Sequence, residues 1–250
     1  MKRLIEYFDR TYIINLKDRP DRRLFAEREF NRIGIEIPST KVRFYDAVRP
    51  LDKGVFHQIG ARGTFTSHRD ILSIANKDGL RNVLVLEDDV SFRSIDEKHF
   101  ESLIAKLSQN QWDIIYFGYL VPSDDNLVGP LLPWVQKTLG GHFYGVNGIF
   151  LSKMLQYMNE CVTRPRDHPD GGPMGRDGAF NHVRIVYPDT RVFISVPNLA
   201  LQRSARTDVH PLKGFDKIVF LRPLIERARA NKHRVIMALD KLKLRSRRNK

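Results

Sequence analysis

Runs of apolar residues, and their spacing, divide the chain into short strands and amphipathic helices. Val83, Leu84, Val85 and Leu86 form an unbroken aliphatic run that ends in Glu87, Asp88 and Asp89. Such a run with β-branched members predicts a strand buried on both faces, as in a parallel sheet. Similar runs predict strands over 11–16, 41–48, 113–118 and 143–151. Helical spacing predicts a helix from Pro20 to about residue 33, with Asp18 as its cap and Gly34 as its stop. A second helix is expected over 66–77, opened by Ser67 and Asp70 in a capping-box-like pair and ended by Gly79. Further helices are expected over 95–109 and from Ser152 to about residue 162. Segments 51–62, 119–141 and 163–175 show no period and read as loops. A short helical turn over 177–182 precedes an expected hairpin of 183–186 with 191–196, and 197–208 reads as a loop folding over a site. Gly145 and Gly148 mark either a bulge or close backbone approach to a ligand. Alternating strands and helices place the chain in the α/β class.

Charge sharpens the division of the chain. The 250 residues carry a formal net charge of +13, but residues 213–250 alone hold 13 Lys and Arg against 3 Asp and Glu. The basic character therefore belongs to the C-terminal end, and a unit over 1–212 is close to balanced. Leu221, Ile225, Ala228, Val235, Leu239 and Leu242 recur at helical spacing within that end. The expectation is a domain over 1–212 followed by a basic amphipathic helix over 213–250 that meets an anionic membrane surface. A helix packed on the domain, a coiled-coil partner and a nucleic-acid contact are the alternatives. A single cysteine, Cys161, excludes an intramolecular disulfide and a cysteine-based zinc site. Neither a long apolar leader nor a run of about 18 apolar residues is present. The expected location is cytoplasmic, peripheral on the inner face of the membrane.

The acidic tip carries the candidate chemistry. Three adjacent carboxylates at the end of an interior strand repel one another unless a cation neutralises them. Hard divalent ions such as Mn²⁺ or Mg²⁺ suit oxygen ligands, and strand carboxyl ends are where open α/β sheets bind ligands. The plain alternative is a solvated acidic turn. Asp18 to Arg23 follows the first strand with three arginines ahead of a helix, an anion-binding arrangement or simply a solvated basic turn.

Three ordered segments resemble glycosyltransferase family 25, the bacterial lipooligosaccharide galactosyltransferases and their collagen-modifying relatives. Asn15-Leu16 followed by Arg19, Arg22 and Arg23 is similar to the family's Asn-Leu…Arg…Arg-Arg opening. Gly63-Thr64-Phe65-Thr66-Ser67-His68 is similar to its Gly-Cys-x-x-Ser-His block, with threonine in place of cysteine. Leu86-Glu87-Asp88-Asp89 is similar to its Leu-Glu-Asp-Asp block. The resemblance covers about residues 10–208. It implies a GT-A-type, Rossmann-like, mostly parallel sheet flanked by helices, and an inverting transfer of a sugar, galactose in the family pattern, from a UDP-sugar with Mn²⁺ to a lipooligosaccharide or other surface-glycan acceptor. Asp89 with Glu87 is the implied metal pair. Asn15, Arg19, Arg22, Ser67, His68 and Asp88 are the implied nucleotide-sugar contacts, Ser67 and His68 at a helix N-terminus. Asp177 is the implied catalytic base, and Gln202 and Ser204 close over the diphosphate. Helix caps, turn aspartates and a packed imidazole are the structural alternatives for Ser67, His68 and Asp177. Two other classes remain open: a metal-dependent phosphohydrolase on the same acidic tip, and a basic nucleic-acid-binding protein, which the near-balanced domain disfavours.

Overall fold

The computed structural model describes residues 1–120 and 127–203. In chain order the elements are α1 (Lys2–Tyr7), β1 (Arg10–Asn15), α2 (Pro20–Arg32), β2 (Val42–Asp46), α3 (Ile59–Lys77), β3 (Asn82–Glu87), β4 (Val90–Phe92) and α4 (Glu97–Gln109). There follow β5 (Ile114–Leu120), β6 (Leu131–Pro133), β7 (Leu139–Asn147), α5 (Gly148–Thr163), α6 (Arg176–Val186), β8 (Val192–Ser195) and β9 (Ala200–Gln202). The expected basic helix over 213–250, and Ser204, lie outside the described residues. Among the described residues no helix is long and apolar enough to cross a membrane.

Seven strands form one sheet in the order β2-β1-β3-β7-β5-β8-β6, while β4 and β9 make a separate antiparallel pair. β1 runs parallel to both β2 and β3, and β8 runs parallel to β5. β7 is antiparallel to both β3 and β5, and β6 is antiparallel to β8. Five strands thus share one direction, as an α/β sheet requires, and β6 and β7 oppose them. The reversal of β7 brings its first residues to the edge where β1, β3 and β5 end.

The pleat of β3 explains its unbroken apolar run. Val83 and Val85 point into a core shared with Phe65, Ile71 and Leu72 of α3, Leu151 and Met154 of α5 and Phe180 of α6. Leu84 and Leu86 point into the opposite core with Leu4 of α1, Phe30 of α2 and Leu103 of α4. Successive side chains on a strand alternate faces, so only a strand covered on both sides has no polar positions.

Several sequence expectations are corrected. The chain over 183–186 is the end of α6, not a hairpin strand. Ala179, Phe180 and Val183 are buried at helical spacing, and β8 pairs in parallel with β5 instead. Residues 148–151 begin α5, whose cap is Asn147, accepting the Ile149 amide N–H, rather than Ser152. Asp18 does not cap α2; it pairs with Arg49. The helix expected to open at residue 66 opens at Ile59, and Gly63 within it is a packing position and not a breaker. A Cβ on Gly63 would lie 2.8 Å from the Val48 carbonyl, so glycine allows the 47–50 segment to lie against the helix. Gly145 approaches no ligand: the space a Cβ would need is filled by Phe8 and Ile115. The segments over 119–141 and 197–203 contain β6, the start of β7 and β9.

Candidate functional site

The parallel strands β1 and β3 end side by side, with Ile14 in register with Glu87. Asn15 therefore stands beside the acidic tip. Its amide Nδ2 donates to Asp88 Oδ2 at 2.8 Å and to the Arg19 carbonyl at 3.3 Å. Arg22, in the first turn of α2, donates through Nη1 to Asp88 Oδ1 at 2.7 Å and lies 3.5 Å from Asp89 Oδ2. Asp88 is thus held by two donors, from Asn15 and Arg22, and also lines the cavity beside the tip.

Glu87 and Asp89 are joined to each other through Gln202 of β9. The chain turns after Asp89 into β4, which pairs with β9 so that Val90 faces Gln202. The Gln202 amide nitrogen reaches Glu87 Oε2 at 3.1 Å and Asp89 Oδ2 at 3.5 Å, and so spans the two carboxylates. Asp89 is only 6% exposed, and its Oδ1 is buried without a hydrogen-bond partner. Burial, then repulsion from Glu87 and Asp88, pushes its pKa up to about 7, although Arg22 and Gln202 oppose the shift. A carboxylate oxygen whose lone pairs meet no donor in that environment favours a cation or a proton.

Among the described residues no group of three His, Cys, Asp or Glu side chains is placed to hold a metal ion. Asp88 is spent on Asn15 and Arg22, which leaves a pair. Mg²⁺ and Mn²⁺ are commonly held by one or two carboxylates with the remaining positions filled by water and substrate phosphates. Glu87, Asp89 and the orphaned Asp89 Oδ1 fit that mode and do not fit an all-protein cage.

A cavity of about 890 Å³ opens beside the tip, lined by Ile14, Leu16, Val48, Gly63, His68, Glu87 and Asp88 among others. Its apolar walls and few polar groups suit a small-molecule ligand of nucleotide size. Ser67 and His68 sit in the middle of α3, not at its N-terminus as the resemblance implied. Ser67 Oγ donates to the Gly63 carbonyl and accepts from the Val48 amide, both at 2.8 Å, which pins the 47–50 wall to the helix. His68 stacks on Tyr144, with its Nδ1 2.7 Å from the tyrosine hydroxyl. Burial, reinforced by Arg176, holds His68 well below the usual imidazole range, so the ring is neutral at neutral pH.

Arg19 forks onto Asp21 at 2.8 and 2.9 Å. Arg23 lies over the Phe44 ring, 4.2 Å from its centroid. Of the three early arginines, Arg22 is the one the structure ties to the acidic tip.

Asp177 opens α6 across the sheet edge. Its Oδ2 accepts the Gly140 amide at 2.8 Å, and its Oδ1 stands 2.6 Å from Arg176 Nη1. Arg176 reaches Glu87 Oε1 with Nη2 at 3.3 Å, which joins Asp177 to the acidic tip. Burial disfavours the Arg176 charge, but Asp177 and Glu87 outweigh it and the pKa lies above the ordinary arginine value. Sequence reasoning missed Arg176, and no local signal marks it: a basic residue beside an acid near glycines usually belongs to a solvated turn. Gln202, which the resemblance sets near the diphosphate, lies on the two carboxylates of the tip.

The arrangement defines an α/β protein with an acidic strand tip beside a nucleotide-sized cavity. No family model matches the chain. In sequence it is similar to a glycosyltransferase 25 family member of Drosophila melanogaster, 34% identical over 127 aligned positions that cover 44% of this chain and 21% of that protein. It is likewise similar to procollagen galactosyltransferase 1-B of Xenopus laevis, 27% identical over 129 positions (44% and 21%). A third relative, from Bos taurus, is named a probable inactive glycosyltransferase 25 family member 3, at 31% over 133 positions (44% and 22%). The chain spans about a fifth of the length of these curated relatives. Among solved structures, a glycosyltransferase involved in glycosylation of the major capsid of PBCV-1 matches with a TM-score of 0.45 and 12% identity, over 79% of this chain and 95% of that one. A197 from STIV matches with a TM-score of 0.38 and 12% identity, over 82% and 98%. The sequence resemblance to glycosyltransferase family 25 is therefore shared with several curated members of that family.

Proposed function

We propose that the protein is a GT-A-type hexosyltransferase that moves a sugar, galactose in the first instance, from a UDP-sugar to a surface-glycan acceptor with inversion. The carrying observation is the acidic tip: Glu87 lines the cavity, and the adjoining Asp89 is buried with its Oδ1 unpartnered, in a chain similar to glycosyltransferase 25 family members. Glu87 and Asp89 would hold Mn²⁺ or Mg²⁺, and the ion would supply positive charge for the departing diphosphate. The protein's own residues do the rest. Asn15 and Arg22 brace Asp88 so that the tip keeps its shape, and Gln202 sets the spacing of the two carboxylates. The cavity walls, pinned by Ser67, enclose the nucleoside and exclude water. Asp177 Oδ1 takes the proton from the acceptor hydroxyl as it attacks the anomeric carbon. Relatives with procollagen galactosyltransferase names favour galactose as the first donor to try.

The basic end over 213–250 would hold the enzyme at the cytoplasmic face of an anionic membrane, near a lipid-linked acceptor. Flotation with anionic vesicles tests this: full-length protein should float and protein ending at residue 212 should not. The function itself is tested by product release from a panel of UDP-, GDP- and CMP-sugars with Mn²⁺. UDP-galactose should turn over fastest. Phosphate release from simple phosphate esters without sugar-nucleotide turnover would replace the transferase by a phosphohydrolase.

A further inference from the structure

We propose that Arg176 is a positioning residue: its guanidinium ties Glu87 on the acidic tip to Asp177 at the start of α6, and so fixes the register between the two halves of the site. This rests on the transferase reading above. The side chain is only 5% exposed. Nη2 lies 3.3 Å from Glu87 Oε1 and Nη1 lies 2.6 Å from Asp177 Oδ1. The guanidinium carbon sits 5.8 and 5.9 Å from the ring centroids of Tyr144 and Phe180. Gly141 closes the remaining side, since a Cβ there would fall 2.6 Å from Nη1. The guanidinium is thus held between two carboxylates and two aromatic rings.

Two features separate this from an ordinary structural ion pair. First, the hydrogen-bonding capacity is not used up. Arg176 Nε and Nη1 and Asp177 Oδ1 are buried without hydrogen-bond partners, although Nη1 and Oδ1 form a 2.6 Å ion pair. Buried polar atoms in folded proteins are nearly always satisfied, and exceptions concentrate where a ligand or a reaction completes them. Second, a guanidinium beside Glu87 opposes a cation at the tip on charge alone. Its value there is geometric: two carboxylates from β3 and α6, distant in sequence, are held at one separation. A planar fork does this and an ammonium does not.

The test measures UDP release from UDP-galactose with Mn²⁺, and UDP affinity by calorimetry, for wild type, Arg176→Gln, Arg176→Lys and Gly141→Ala. Gly141→Ala keeps the charge and displaces the guanidinium. Misplacement of reacting groups by about 1 Å is worth about 100-fold, so Arg176→Gln and Gly141→Ala should lower kcat by that order. KM and UDP affinity should change less than kcat, because Arg176 does not itself line the donor cavity, although its partner Glu87 does. Arg176→Lys keeps a cation but not the planar fork, and should lower kcat as far as Arg176→Gln does. Thermal melting identifies folded variants, and any one folded variant decides. The inference is overturned if a folded Arg176→Gln keeps kcat within about 3-fold, or if the loss falls on KM and UDP affinity instead, which would make the guanidinium a donor-binding group. A wild type that releases nothing from any sugar nucleotide overturns the transferase reading itself, a result that no variant-specific loss resembles.

Discussion

Asp89→Asn isolates the electrostatics of the acidic tip. Asp89 is buried with its carboxyl pushed up to about 7 from an ordinary 3.8, burial contributing most and Glu87 next. For an acid whose folded pKa lies above its unfolded value, ionisation opposes folding. Below pH 3.8 both states are protonated and there is no penalty. Between 3.8 and about 7 the unfolded state ionises first and stability falls. Above 7 the penalty is complete. Three pH units at 1.36 kcal/mol each give a ceiling of about 4 kcal/mol. Asparagine removes the charge but also the attraction to Arg22, 3.5 Å away, so about half the ceiling, roughly 2 kcal/mol, should remain as a gain. For a chain of this size that is about 4–8 °C in melting midpoint. The assay is thermal unfolding in EDTA at pH 8 and pH 5. The variant should melt higher at pH 8, and the difference should shrink at pH 5. Added Mn²⁺ should raise wild type and leave the variant unmoved, reversing the order. A variant that melts at or below wild type at pH 8 in EDTA would refute the reasoning, because the tip would then need no cation.

Other consequences follow from single contacts. Gln202→Ala removes the amide that spans Glu87 and Asp89, and should weaken Mn²⁺ binding about 10-fold by titration while leaving the metal-free melting midpoint nearly unchanged. Gly145→Ala drives a methyl into the Phe8 ring, 2.6 Å from Cε1, and should cost about 1–3 kcal/mol in chemical unfolding without altering UDP affinity. Asp9 accepts hydrogen bonds from the Arg81 side chain and amide, which lower its pKa. A lowered carboxylate stabilises above its unfolded pKa and loses that stability as pH falls through the folded value. Asp9→Asn should therefore cost under about 1 kcal/mol at neutral pH, since the pair is exposed on the arginine side, and flatten the acid limb of the stability curve.

What the sequence disclosed, and what it hid, follows from range. The double-sided burial of β3 was legible because an unbroken aliphatic run ending in three acids has few other solutions. The start of α3 was not, because Gly60 and Gly63 weaken a helix locally, and the need for Gly63 comes from the Val48 carbonyl and Pro50 across the site. The end of α6 was misread because Val183 and Val186 suit a strand until Ala179 and Phe180 are counted with them. Asn15, Arg22 and the acids are legible as site residues, but the contacts that hold Asp88 are not, since they join positions 66 and 73 residues apart. Arg176 was invisible for the same reason, since burial of a charge is set by what folds over it.

Calorimetric titration of UDP with and without Mn²⁺, on wild type and Asp89→Ala, tests the central claim most directly. The account predicts tight binding only for wild type with metal. Equal affinity in all four titrations would contradict it, since the carboxylates at the end of β3 would then have no part in holding the nucleotide.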